Sequence, residues 1–270
     1  MIEQVFPLSN INYVLPPEEK VLVLFVHGLN GGKGSWSKFV TALNNVKEIE
    51  GMFDVDYYSY PTSFFETLYK PLPTIQSIAD GLRSHINLVC KRYDSIILAC
   101  HSMGGLICRR YLLNHAKQYK KERFKIKSLL LYAVPNLGSD LNKVNFFNPW
   151  HSQIKQLGRN SDFIQDMNSD WNTFGINAIT DVKYIIAGRD AVVSKDSAIL
   201  YWGNTATETD IYKTHFSIID PSEENDISLL ALVNQISKIF NASLGVEDDG
   251  YSEKEELIDY NDEETEEDFV

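Results

Sequence analysis

The chain has 270 residues, enough to bury one large core, and 44% of them are apolar. With a formal net charge of −12 it gives no composition-level sign of binding nucleic acid or an anionic membrane, and its longest apolar runs are strand-sized, short of the roughly 20 residues a membrane helix needs. Three cysteines, Cys90, Cys100 and Cys108, fit free thiols in a reduced compartment better than a disulfide framework.

The N-terminal residues lack both the basic flank and the long apolar core of a secretory signal, so the expected location is cytoplasmic. Residues before 20 are a weak candidate for a strand. Val21 to Val26 is an unbroken apolar run, which reads as a parallel strand buried on both faces, and it ends in His27-Gly28-Leu29-Asn30-Gly31-Gly32. A glycine-rich loop in that place can aim a backbone N–H at a developing oxyanion, and Leu29 supplies the candidate donor. Read alone, the same loop only turns the chain. A helix is expected near 35–46 and a strand near 52–58. Pro71-Leu72-Pro73 then breaks the chain before a long helix near 74–92, for which Thr74 is the expected N-cap.

The segment Ile96-Ile97-Leu98-Ala99-Cys100-His101-Ser102-Met103-Gly104-Gly105 passes from an apolar strand, residues 95–100, through a serine into a helix near 103–118. Such a sharp turn displays a nucleophile in strained backbone, provided the residues two before and two after the serine are small. Here they are Cys100 and Gly104; the cysteine departs from the usual glycine but is compact. The N–H of Met103, directly after the serine, is the second candidate oxyanion donor.

A fourth strand, near 126–133, precedes a long excursion at about 139–180. The aromatics Phe146, Phe147 and Trp150 and the spaced apolar residues Ile154, Leu157, Phe163, Ile164, Met167 and Trp171 suit either a cap over an active site or helices packed on the sheet. A strand near 182–188 leads at once to Arg189-Asp190, which puts a carboxylate at a strand's C-terminal end, where open parallel sheets build their sites. Residues 206–213 are a further weak strand candidate. A helix near 226–241 closes the alternating pattern.

A serine hydrolase on this scaffold orders its triad as serine, acid, histidine. Of the six histidines, His27 belongs to the glycine-rich loop, and His101 is expected to point away from the side the serine faces. His85 and His115 fall on helices, and His151 precedes any suitable acid. His215 remains as the base. Asp190 is the favoured acid, with Asp196 and Asp210 as alternatives; Asp181 precedes its strand and lies at the wrong edge.

With Val26-His27-Gly28-Leu29, Trp36, His101-Ser102-Met103-Gly104-Gly105, Val134 to Ser139, Gly188 to Val193 and His215 in view, the chain resembles the lipase-like serine esterases of the α/β-hydrolase superfamily, a group that includes GPI inositol-deacylases. The resemblance spans roughly residues 20–240. It implies an α/β-hydrolase fold, a mostly parallel central sheet with helices on both faces and a cap insertion after the fourth strand. It also implies ester hydrolysis by Ser102, His215 and Asp190 without a metal or organic cofactor, on a small-molecule or lipid ester. Amide and thioester hydrolysis use the same groups, and a binding or signalling module on this fold is the reading from a different class.

Residues 1–245 are expected to form the hydrolase domain. The last 25 residues, 246–270, hold 13 acidic side chains and one basic, Lys254, leaving 24 acidic and 24 basic in the rest. Such a segment is expected to be a disordered, solubilising tail, with docking on a basic protein partner or folding back over the body as the competing readings.

Overall fold

The computed structural model describes residues 19–62, 72–118, 124–139, 156–159, 161–199, 207–223 and 225–245. The strand expected before residue 20, the aromatics at 146–150, His151 and the acidic segment 246–270 lie outside the described residues.

Six strands form one sheet: β1 (Val21–Val26), β2 (Phe53–Tyr58), β3 (Ser95–His101), β4 (Ile126–Tyr132), β5 (Asp181–Ala187) and β6 (Thr207–Asp210), in the order β2-β1-β3-β4-β5-β6. All five pairings are parallel. The expectation of a mostly parallel sheet with helices on both faces is met. The weak strand candidate at 206–213 is the short edge strand β6.

The apolar strands read as they do because both faces are covered. Along β1, Leu22, Leu24 and Val26 join one buried cluster while Val21, Val23 and Phe25 join the other. Against the first face pack α2 (Ile75–Leu88), α3 (Met103–Gln118) and α4 (Asp162–Thr173); against the second pack α1 (Ser37–Asn45) and, after the one-turn α5 (Lys195–Ala198), the closing helix α6 (Ile227–Ser243). Among the described residues, no helix is long and apolar enough to cross a membrane.

Helix starts follow local chemistry. Thr74 caps α2 by accepting the Ser77 N–H at 3.2 Å, Ser161 caps α4 and Asp226 caps α6. The expected helix near 35–46 divides into a 3-10 turn, Lys33–Trp36, followed by α1. In the excursion after β4, α4 buries Ile164, Met167 and Trp171 in the core beside α3, so this part packs onto the sheet. Arg109 of α3 is fully buried there. Its guanidinium lies 4.7 Å over the Trp171 ring and donates to Asn136 Oδ1 and Asn168 Oδ1, and burial lowers its pKa to about 10.

Candidate active site

The strand-to-helix turn after β3 puts Ser102 in left-handed backbone, φ 51°, a conformation that costs a residue with a Cβ on the order of 1–3 kcal/mol. The surroundings hold it there: Ser102 N–H donates to Tyr132 O at 3.0 Å and its carbonyl accepts from Gly105 N–H at 3.0 Å. The turn also brings α3 against β1. A Cβ on Gly104 would stand 2.5 Å from His27 O and 2.7 Å from Val26 O, both backbone atoms, so that position admits no side chain. Cys100 has no such neighbour problem. Its side chain points into the α3-side core beside Cys108, and this is why a residue larger than glycine is accommodated.

His215 and Asp190 arrive from the C-terminal ends of the last two strands. His215 Nε2 is 3.0 Å from Ser102 Oγ, and His215 Nδ1 is 2.9 Å from Asp190 Oδ2. Because a carboxylate only accepts, Nδ1 carries the proton and Nε2 turns its lone pair to the serine. Asp190 is itself oriented, since its Oδ1 accepts the N–H groups of Val192 and Val193, each at 2.8 Å. The side chains of His215 and Asp190 are 6% and 4% exposed. The competing carboxylates lie elsewhere: Asp196 is exposed on α5, and Asp210 ends β6 with its Oδ1 on Tyr212 N–H.

Leu29 and Met103 flank this line. Among the described residues neither backbone N–H is taken by an acceptor, and Leu29 lines the cleft together with Ser102 and His215. That cleft is narrow, about 20 Å³, close to the room of one water molecule. It adjoins a larger pocket of about 340 Å³, lined by the loop Gly28–Gly31 and by Lys38 and Asp220, with Leu29, His101 and Phe216 common to both. A serine hydrogen-bonded to an oriented imidazole, beside unoccupied backbone donors, can attack a carbonyl and pass its proton to the imidazole.

His101 corrects the sequence reading. It does not point away from the site; it lines the cleft, and its Nε2 donates to the carbonyl oxygen of His215 at 2.8 Å. Burial, followed by the proximity of His215, lowers its pKa to about 3, so it stays neutral beside the base. Lys213 and Tyr60 carry no signal in the chain that marks them as supports of the site. Lys213 Nζ bonds Asp220 O at 3.0 Å and pairs with the buried Asp226, bracing the loop that carries His215. Tyr60 stacks on His27 with ring centroids 4.2 Å apart and donates its hydroxyl to His27 O, so it braces the glycine-rich loop. His27 itself is lowered by burial. His85 and His115 stand on α2 and α3, away from Ser102, as the helical pattern implied. Two of the buried thiols hold their protons as the chain stands: burial raises Cys100 well above its ordinary range, and burial with the Asp56 carboxylate pushes Cys90 up to about 12.

No protein-family model matches the sequence, and comparison with curated proteins gives no match. Solved structures do. The mature lipase BlEst2 of Bacillus licheniformis superposes with a TM-score of 0.57 at 16% identity, over 86% of this chain and 96% of that one. Phospholipase PlaB of Legionella pneumophila gives 0.62 at 14% identity, over 84% and 63%. The RedJ thioesterase of the prodiginine pathway in Streptomyces coelicolor gives 0.51 at 12% identity, over 85% and 96%. The chain has the α/β-hydrolase fold in its lipase-like form.

Proposed function

We propose that this chain is a serine hydrolase cleaving carboxylic esters through an acyl-enzyme. Ser102 attacks the ester carbonyl, His215 takes its proton and returns it to the leaving alcohol, and Asp190 holds the imidazole and stabilises its protonated form. The N–H groups of Leu29 and Met103 receive the oxyanion, and water, activated by the same histidine, frees the acid. Neither a metal nor an organic cofactor has a step in this scheme. The observation that carries the reading is the unbroken line Asp190–His215–Ser102, at 2.9 and 3.0 Å, ending on a serine held at positive φ.

The similarity to a lipase and a phospholipase supports acyl esters of lipid kind as substrates, and the similarity to a thioesterase supports thioester cleavage as the second reading. We place the activity in residues 1–245 of a cytoplasmic protein, with the acidic segment 246–270 offered to a basic protein partner. A fluorophosphonate probe tests the chemistry by labelling Ser102, and kcat/KM across matched esters and thioesters of rising chain length tests the substrate class. Equal or better turnover of the thioester would favour the second reading. Absence of labelling in folded protein would favour a binding module on this fold.

A further inference from the structure

Away from the serine, the edge strand β2 carries a group of side chains that the proposed hydrolysis does not use. Asp54, Asp56 and Tyr58 alternate onto the face of β2 that meets α2 and the turn after it: Tyr58 donates to Ile78 O, and Tyr93 donates to Asp54 Oδ2. Two carboxylates on one strand face need compensation. Asp54 has it from Lys20, 3.1 Å away. Asp56 has no lysine or arginine within 4.0 Å among the described residues; it meets an imidazole and a thiol instead. His85 Nε2, from the last turn of α2, stands 2.8 Å from Asp56 Oδ2, and Cys90 Sγ, from the turn that follows, stands 3.8 Å from the same oxygen.

We propose that Asp56, His85 and Cys90 form a zinc site that ties the edge strand β2 to the end of α2, with water as the fourth ligand. Oxygen, nitrogen and sulfur are the donor set zinc takes, at about 2.0–2.3 Å, so a tetrahedral ion holds its ligand atoms roughly 3.3–3.6 Å apart. The three ligand atoms here already lie within 4.8 Å of one another. Seating the ion opens the Asp56–His85 contact by about half an ångström, as two metal bonds replace one hydrogen bond. The fourth position faces solvent, because the side chains of His85 and Asp56 keep 20% and 34% exposure. Binding forms Zn–S, Zn–N and Zn–O bonds and breaks the S–H bond of Cys90. One proton therefore leaves to solvent per ion bound; the proton that His85 Nε2 donates to Asp56 passes through solvent to Nδ1, which frees the Nε2 lone pair for the ion, and no electron is transferred.

Cobalt(II) reports the site directly. The full-length protein, stripped with a chelator, is titrated with cobalt(II) and then with zinc(II), while absorbance and released protons are followed. The expected result is one equivalent bound with a thiolate-to-cobalt charge-transfer band and the visible bands of a tetrahedral ion, one proton released, and one-for-one displacement by zinc. Cys90→Ser should lose the charge-transfer band. His85→Gln and Asp56→Asn should weaken binding by about 100-fold or more, beyond the roughly 10–100-fold loss typical of removing an outer partner of a ligand. No charge-transfer band in the stripped wild-type protein would overturn the proposal. So would a band undiminished in Cys90→Ser, or an affinity unchanged in His85→Gln. Should Cys90→Ser fail to fold, the wild-type titration and the His85→Gln affinity still decide.

Discussion

His101 Nε2 donates to the carbonyl oxygen of His215 across 2.8 Å, so the residue before the proposed nucleophile anchors the backbone of the proposed base. The bond fixes His101 as the Nε2–H tautomer. It also puts two imidazoles in contact, with ring centroids 4.9 Å apart. Only one of them can become cationic during turnover without a strong like-charge cost, and burial assigns the neutral role to His101.

That neutrality has a pH signature. The folded-state pKa of His101, about 3, lies below its unfolded value of 6.5, so the unfolded chain binds more protons between these values and stability rises with pH through the window. Acidification from pH 6.5 to 5 should cost about 2 kcal/mol from this residue, at 1.36 kcal/mol per unit. His27, lowered in the same direction, adds to the loss. Urea unfolding at the two pH values should show a smaller drop for His101→Gln, whose amide can still donate to His215 O. An identical drop in the variant would mean that His101 is protonated in the folded protein.

Asp190→Asn should lower turnover by about 10³–10⁴-fold, because an amide no longer fixes the proton on Nδ1 of His215. Asp196→Asn and Asp210→Asn should leave most of the activity, since neither carboxylate contacts His215. Steady-state kinetics of the three variants on one ester checks this. A crippled Asp210→Asn beside a mild Asp190→Asn would reverse the assignment.

Gly104→Ala should destabilise the fold by roughly 1–3 kcal/mol, as expected for overpacking, and lower turnover through displacement of the serine turn. The added methyl would meet the backbone carbonyls of Val26 and His27, which β1 holds in place. Thermal unfolding should show a loss on the order of 2–10 °C. Wild-type stability and activity would show that the turn is looser than its close contacts imply.

Much of this was legible in the chain because two-sided burial writes itself as apolar runs: β1, β3, β4 and β5 each carry one. The edge strand β6, Thr-Glu-Thr-Asp, carries no such signal, since its position at the sheet's rim asks for little apolar surface. That Ser102, Asp190 and His215 meet could be read from their order and from the strand ends they follow. Their support could not. Lys213 and Asp226, or Asp56, His85 and Cys90, meet only because the sheet brings separate segments together. His101 is misread because strand alternation puts it on the face of Ile97, Ala99 and Trp36, and only the folded sheet shows that the segment carrying His215 packs on that same face.

Hydrolysis of a short p-nitrophenyl ester by Ser102→Ala protein, with its fold verified by circular dichroism and thermal unfolding, tests the central claim most directly. The side chain is displayed at the turn and does not fill the core, so the variant should fold while its turnover falls by at least about 10³-fold. Near-wild-type turnover by the folded variant would contradict the assignment of Ser102 as nucleophile, and with it the proposed reaction.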